Sequence, residues 1–225
     1  MKVAMILAAG RGERMRPLTD HTPKPLLEVK GQPLIEYHLK KLAAAGIEHV
    51  VINHAWLGEQ IVALLGDGSR YNLSIHYSAE PEALETAGGI VKALPLLKSL
   101  LKNQRYFTVI NADIYTDFDF NLLPDDLNET RGHLVLVNNP PHNLKGNFDL
   151  NDHLVVRKQH NQFTFSGIAV YDMALFAELS QKKRPLAPLL FELVEKSQLS
   201  GQQHQGIWFD IGTPQRLDEI NRMER

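Results

Sequence analysis

Apolar positions come in short runs and two periodicities along the chain. Residues 2–8, 47–53, 73–77 and 105–112 are runs of four to eight mostly apolar residues bounded by glycine, asparagine or charge, the pattern of buried strands. Between them apolar residues recur at helical spacing. Leu34, Ile35, His38, Leu39, Leu42 and Ala43 share one face, with Pro33 before them and Gly46 after, so a helix is predicted over 32–45. Further helices are predicted over 58–65 and over 85–97, the latter stopped or kinked at Pro95. Strand and helix in regular alternation argue for an α/β fold with a parallel sheet covered on both faces.

After residue 130 the texture changes. Shorter strands are predicted over 132–138, 147–149, 154–157 and 163–171, separated by turn signals at Asn138–Pro141 and Asn151–Asp152. Helices are predicted over 186–196 and 214–223, the second opened by Thr213 and Pro214. No repeat or flexible linker interrupts the chain, so residues 1–225 read as one domain with a mixed, mostly parallel sheet.

Composition narrows the function classes. The 225 residues carry 24 Lys plus Arg against 26 Asp plus Glu, and this lack of a basic surplus argues against a nucleic-acid binder. No cysteine is present, which removes disulfides, thiolate metal sites and cysteine nucleophiles. Ten histidines show neither His-x-x-x-His nor His-Glu-x-x-His, so a zinc hydrolase is unsupported, and His21 and His54 read as solvated or hydrogen-bonded. No apolar stretch reaches membrane-span length, and Arg11, Glu13, Arg14 and Arg16 stand where a signal peptide would be cleaved. A cytoplasmic location is the expectation, with neither nucleic acid nor membrane as partner.

The chemistry concentrates in Leu7-Ala8-Ala9-Gly10-Arg11-Gly12-Glu13-Arg14, directly after the first strand. Glycines there let backbone N–H groups face an anion, and the arginines add fork-shaped donors suited to phosphate. A dinucleotide fingerprint would need glycine at Met15 and a helix opening where Pro17, Pro23 and Pro25 follow, so a dehydrogenase is disfavoured. No Gly-Lys-Ser/Thr exists for a Walker loop. Lys24 stands between two prolines, which stiffen its backbone and lower the entropic cost of delivering an ammonium to one spot.

The whole segment LAAGRGERMRPLTDHTPKPL (residues 7–26) resembles the signature of the sugar-phosphate nucleotidylyltransferases. That resemblance implies a Rossmann-like three-layer α/β sandwich of the nucleotidyltransferase A type. It also implies transfer of a nucleotidyl group from a nucleoside triphosphate to a sugar 1-phosphate, with release of pyrophosphate. The resemblance leads to the expectation of one catalytic domain over residues 1–225, without the C-terminal β-helix of the longer acetyltransferase members. Residues 51–58, 84–90 and 165–168 are similar to the members that load uridylyl from UTP onto N-acetylmuramate 1-phosphate in cell-wall recycling.

By resemblance, Lys24 and Arg14 are the catalytic cations, and Asp113 and Asp210 hold the catalytic Mg²⁺. Asp113 directly follows the strand 105–112, where ligands gather in open α/β sheets, and Mg²⁺ prefers carboxylate oxygens together with substrate phosphates. Asp117 and Asp119 are read as loop-shaping. Nucleotide contacts are expected from Leu7, Ala8, Ala9, Gly10, Arg11, Gly12, Glu13, Arg14, Lys24, Asn53, Glu80, Thr86, Gly88 and Gly89, the last two letting the base approach the backbone. Sugar-phosphate contacts are expected from Asn111, Asn147, Gly167 and Lys158, although Arg157-Lys158-Gln159 departs from the family's usual Glu-Lys-Pro. Glu80 leaves the base open. A carboxylate only accepts hydrogen bonds and suits guanine's N–H groups better than uracil's carbonyls, which keeps GTP with mannose 1-phosphate as the rival. A non-catalytic nucleotide-sugar sensor would be marked by loss of Lys24 or of an aspartate, and all three residues are present.

Overall fold

The computed structural model describes residues 1–223. In chain order its first half runs β1 (Val3–Leu7), β2 (Glu28–Val29), β3 (Gln32–Pro33), α1 (Leu34–Ala44), β4 (His49–His54), α2 (Gly58–Leu65), β5 (Ser74–Ala79), α3 (Glu85–Leu101) and β6 (Tyr106–Asn111). The second half runs β7 (Ile114–Thr116), β8 (Gly132–Asn138), β9 (Asp149–Asn151), β10 (Leu154–Val156), β11 (Phe163–Asp172), α4 (Ala174–Ala177), α5 (Ala187–Glu195), β12 (Leu199–Gln203), β13 (Trp208–Asp210) and α6 (Pro214–Arg222).

Nine strands form one mixed sheet in the order β5-β4-β1-β6-β11-β8-β12-β10-β9. The first four are parallel, as the strand–helix alternation predicts. Strand β11 then joins β6 antiparallel and carries the hairpin-rich half. Each face of the sheet buries its own core. Ile35, Leu39 and Leu42 of α1 and Ile61 and Leu65 of α2 cover one face. Helices α3, α4 and α5 cover the other through residues such as Ile90, Leu97, Phe176 and Leu190. A third cluster packs Met15 and Leu27 from the 8–30 segment against Ile211, Leu217 and Ile220, tying the glycine loop to the C-terminal helix.

Two expectations change, and three strands are added. Helix α3 continues through Pro95 to Leu101. Leu97 and Leu101 beyond the proline are buried in the second core, and this burial outweighs the roughly 3 kcal/mol that an interior proline costs. The strand expected at 147–149 begins at Asp149, because Asn147 instead takes up the turn before it, its amide bonded to the Phe163 carbonyl. Strands β7, β12 and β13 have no periodic signature long enough to read; β7 and β13 exist by pairing with each other, far apart in sequence. Among the described residues, no helix is long and apolar enough to cross a membrane.

Candidate active site

Strand β1 ends between β4 and β6, and the sheet register sets Leu7 opposite both Asn53 and Asn111. Chain direction changes sides of the sheet here, which opens a crevice at the carboxyl ends of the strands. A cavity of about 430 Å³ occupies it. Leu7, Ala8, Ala9, Gly10, Gly12, Glu13 and Arg14 form one wall, Lys24, Asn111 and Asp113 another, and Asn53 and Thr86 a third. The signature loop is held by packing. Met15 is fully buried, and the Thr19 hydroxyl donates to the Gly12 carbonyl at 2.9 Å.

The three loop arginines divide. Arg11 does not line the cavity: it donates to the Thr19 carbonyl at 2.8 Å, pairs with Asp20 at 3.1 Å and stacks over Trp56 with 3.9 Å to the ring centroid. Where a phosphate contact is expected of Arg11, its guanidinium here staples the loop. Arg16 is likewise on Asp20, at 2.9 Å, and the Arg11 hydrogen bond, helped by Arg16, holds the Asp20 carboxyl below the usual range. Arg14 is exposed at the cavity wall and has no ion-pair partner among the described residues.

Lys24 reaches from the other side. Its Nζ lies 2.6 Å from Asp113 Oδ2, so the two residues, 89 apart in sequence, meet on one wall of the cavity. Asp113 sits between β6 and β7, and the Ile211 amide donates to its carbonyl at 2.7 Å. Asp210 is therefore a backbone neighbour of Asp113, in register with Ile114. Its carboxylate, however, lines a second cavity of about 440 Å³, where Arg216 donates to Oδ2 and His142 Nε2 lies 3.1 Å from Oδ1. The two carboxylates are thus brought near each other through the backbone, but they line different cavities and each is paired with a basic side chain; carboxylate oxygens are the donor type that a hard divalent cation takes. Among the described residues no cluster of three or more His, Cys, Asp or Glu side chains that could hold a metal ion exists.

Thr86 and Asn53 meet the cavity, but Glu80, Gly88 and Gly89 do not. Glu80 is 5% exposed and both of its oxygens are engaged, by Asn53 Nδ2 at 2.6 Å and by the Leu84 amide at 2.9 Å. A Cβ on Gly89 would stand 2.6 Å from Asn53 Nδ2 and 2.7 Å from Glu80 Oε1. A Cβ on Gly88 would stand 2.5 Å from the Lys182 carbonyl. The two glycines thus make room for neighbouring protein groups.

On the sugar side, Asn111 lines the cavity and the other three residues do not. Lys158 pairs with buried Asp149 at 3.0 Å, and Asn147 Oδ1 accepts from the Phe165 amide. Gly167, in a bulge of β11 with φ +86°, admits the Asn111 side chain, which a Cβ there would meet at 2.7 Å. Asp119 shapes its loop as expected, accepting from the Asn121 amide, and Asp117 pairs with His204 at 2.9 Å. Burial lowers the His54 pKa.

The cavity also has lining that the motif did not reveal. Glu85 opens α3 at φ +61° with Lys183 at 4.0 Å, and both face the cavity. Lys183 lies in the longest basic run, Lys182-Lys183-Arg184, whose backbone docks on α3 through the Gly88 and Arg184 amides. The Arg216–His142 clamp on Asp210 joins residues 74 apart and left no local signal.

The family pattern described as nucleotidyl transferase matches residues 3–148. An N-acetylmuramate alpha-1-phosphate uridylyltransferase of Neisseria meningitidis serogroup B is 50% identical, over 98% of this chain and 97% of its own. A mannose-1-phosphate guanylyltransferase catalytic subunit beta of Danio rerio is 29% identical over 94% of this chain, which spans 61% of that relative's length. Among solved structures, a Bacillus anthracis chain assigned as a glucose-1-phosphate thymidylyltransferase superposes with TM-score 0.86 over 98% of this chain and 94% of its own, at 22% identity. HddC of Yersinia pseudotuberculosis, complexed with GMP-PN, gives TM-score 0.78 over 98% of both chains at 19% identity. These two likenesses speak for the fold.

Proposed function

Because the chain belongs to the nucleotidyl transferase family, we propose that it transfers uridylyl from UTP to N-acetylmuramate 1-phosphate, yielding UDP-N-acetylmuramate and pyrophosphate. The observation that carries the substrate pair is the 50% identity across essentially the whole of both chains. Such a reaction belongs where UTP is made, in the cytoplasm, and returns a cell-wall sugar to use.

A phosphate oxygen of the sugar phosphate attacks the α-phosphorus of UTP in line. One P–O bond forms, the bond to the β-phosphate oxygen breaks, and pyrophosphate leaves on the opposite side. The nucleophile is already an anion, so no general base is needed and the task is to hold anions together and neutralise charge. The amides following β1 cradle the triphosphate, with Arg14 on its β and γ groups. Lys24, with an 11% exposed side chain, meets the α-phosphate as charge builds there. Asn111 orients the sugar phosphate. Asp113 and Asp210 would hold Mg²⁺, which supplies neutralisation of the reacting phosphates when bound.

The guanylyl reading rests on Glu80, and the mannose-1-phosphate guanylyltransferase relative fits less well, at 29% identity over 61% of its length against 50% over 97%. Pyrophosphate release with Mg²⁺ in two mixtures tests the choice. UTP with N-acetylmuramate 1-phosphate is expected to react strongly, and GTP with mannose 1-phosphate weakly. The reverse result overturns the substrate assignment, and silence in both overturns the assigned activity.

A further inference from the structure

We propose that Arg216, held by Asp210 and His142, is a specificity-determining residue that takes the carboxylate of the acceptor's lactyl arm in the second cavity. The proposal rests on the uridylyl-transfer reading and deepens it. N-acetylmuramate 1-phosphate carries two anions, the phosphate that reacts and a carboxylate on the lactyl ether at O3. The first cavity supplies Arg14 and Lys24 for phosphates. Arg11 and Arg16 are committed to Asp20, and Lys158 to Asp149. The second cavity, of about 440 Å³, lies beside Asp210, and among the described residues Arg216 is the one arginine or lysine that lines it.

Only one edge of this guanidinium is used. Its Nη1 donates to the Asp210 carboxylate and to the Asp210 carbonyl at 3.3 Å, and lies 3.1 Å from His142 Nε2. Nε and Nη2 donate to no protein group among the described residues. Those two nitrogens form the side-on fork that matches a carboxylate with two parallel hydrogen bonds. The Arg216 side chain is 16% exposed, so a charge pair there is only partly screened. Gly212 makes the room: a Cβ there would stand 2.7 Å from Nη2 and 3.0 Å from Cζ. Gly212 lines the first cavity and Arg216 the second, so the two cavities approach each other at this contact. An acceptor whose phosphate reacts in the first cavity thus has the second within reach of a short arm. Pro140, Pro141 and Phe209 line the second cavity with Arg216, an apolar wall for the lactyl methyl group. Nη1 keeps its place on Asp210 while the opposite edge takes the substrate, so neither contact displaces the other.

The parent, Arg216→Met and Arg216→Lys are compared on N-acetylmuramate 1-phosphate and N-acetylglucosamine 1-phosphate, which share the phosphate and the acetamido group and differ in the lactyl ether. Binding of each sugar phosphate is measured by calorimetry without UTP. KM and kcat for each come from pyrophosphate release with UTP and Mg²⁺, and each protein is also melted. The parent is expected to prefer the N-acetylmuramate compound. In Arg216→Met that preference is expected to fall about 10- to 100-fold, in binding and in the KM of the sugar phosphate, the worth of a charge-assisted bidentate contact. Arg216→Lys keeps a charge beside Asp210 without the fork, and its preference is expected to fall between the other two. Equal losses on both sugars overturn the proposal, because Arg216 then serves Asp210 or the phosphate that both share. A parent that binds the two sugars alike overturns it, as does an unchanged preference in Arg216→Met. Should Arg216→Met fail to fold, Arg216→Lys decides, and the parent's full preference in that variant overturns the proposal. A binding preference that depends on Arg216, with no pyrophosphate release from any of the three proteins, supports the carboxylate site and overturns the assigned activity instead.

Discussion

Lys24→Met separates catalysis from stability. In the free protein the ammonium lies 2.6 Å from Asp113, whose side chain is 38% exposed while that of Lys24 is 11% exposed. An ion pair with one partner this open to water is screened, and its net worth is at most about 1 kcal/mol. Methionine keeps the length and the apolar stem, and it leaves Asp113 free to be solvated. The loss of stability should therefore be about 1 kcal/mol or less, a shift of roughly 2–4 °C in Tm for a chain of this size. In the proposed mechanism the same ammonium faces developing charge on the α-phosphoryl group in the transition state. Removing a cation from a phosphoryl-transfer site costs about 10³-fold in rate or more, equivalent to roughly 4 kcal/mol. The catalytic loss should thus exceed the stability loss about fourfold in free energy. A pyrophosphatase-coupled assay with UTP and N-acetylmuramate 1-phosphate, run beside a thermal melt, measures both. A Tm fall beyond about 8 °C, or residual turnover above about 1%, would refute the reasoning.

Three further outcomes are expected. Gly88→Ala should destabilise by about 1–3 kcal/mol, although alanine ordinarily improves a helix, because its Cβ would stand 2.5 Å from the Lys182 carbonyl; a variant melting at or above the parent contradicts the packing described. His38 is fully buried, and desolvation lowers its pKa to about 4. The unfolded chain therefore takes up this proton first as pH falls. His38 leaves stability intact above about pH 6.5 and removes about 3 kcal/mol between there and about pH 4. A His38→Phe variant should flatten that part of the stability–pH curve, and an unchanged slope rejects the assignment. Chelation by EDTA should abolish pyrophosphate release and added Mg²⁺ should restore it, whereas Asp113→Asn should resist restoration; full activity in EDTA would remove the metal from the reaction.

The parallel half of the fold was legible because its signals are local. Helix α2 spans residues 58–65 as its periodicity predicts, and β8 spans 132–138 likewise. The glycine loop and its proline-braced lysine read as a candidate anion site, since residue types and spacing along one stretch suggest it. The residues lining the cavity match the motif best where the motif is continuous, from Leu7 to Arg14, with Arg11 the exception.

What the amino-acid order could not express is which polar group meets which. Arg11, Glu80 and Lys158 stood at positions that suggested ligand contact, and the partners they have in this structure, Asp20, Asn53 and Asp149, could not be read from the sequence. Asn53 and Asn111 face one cavity only because the register of three parallel strands sets both opposite Leu7. Asp113 and Asp210, far apart along the chain, become neighbours only through the pairing of β7 with β13, two strands of three residues each. Periodicity reports the backbone of one segment at a time. A hydrogen-bond donor or a charge, in contrast, is satisfied once, and the partner that satisfies it is chosen when strands distant in sequence take their register and the space between them closes.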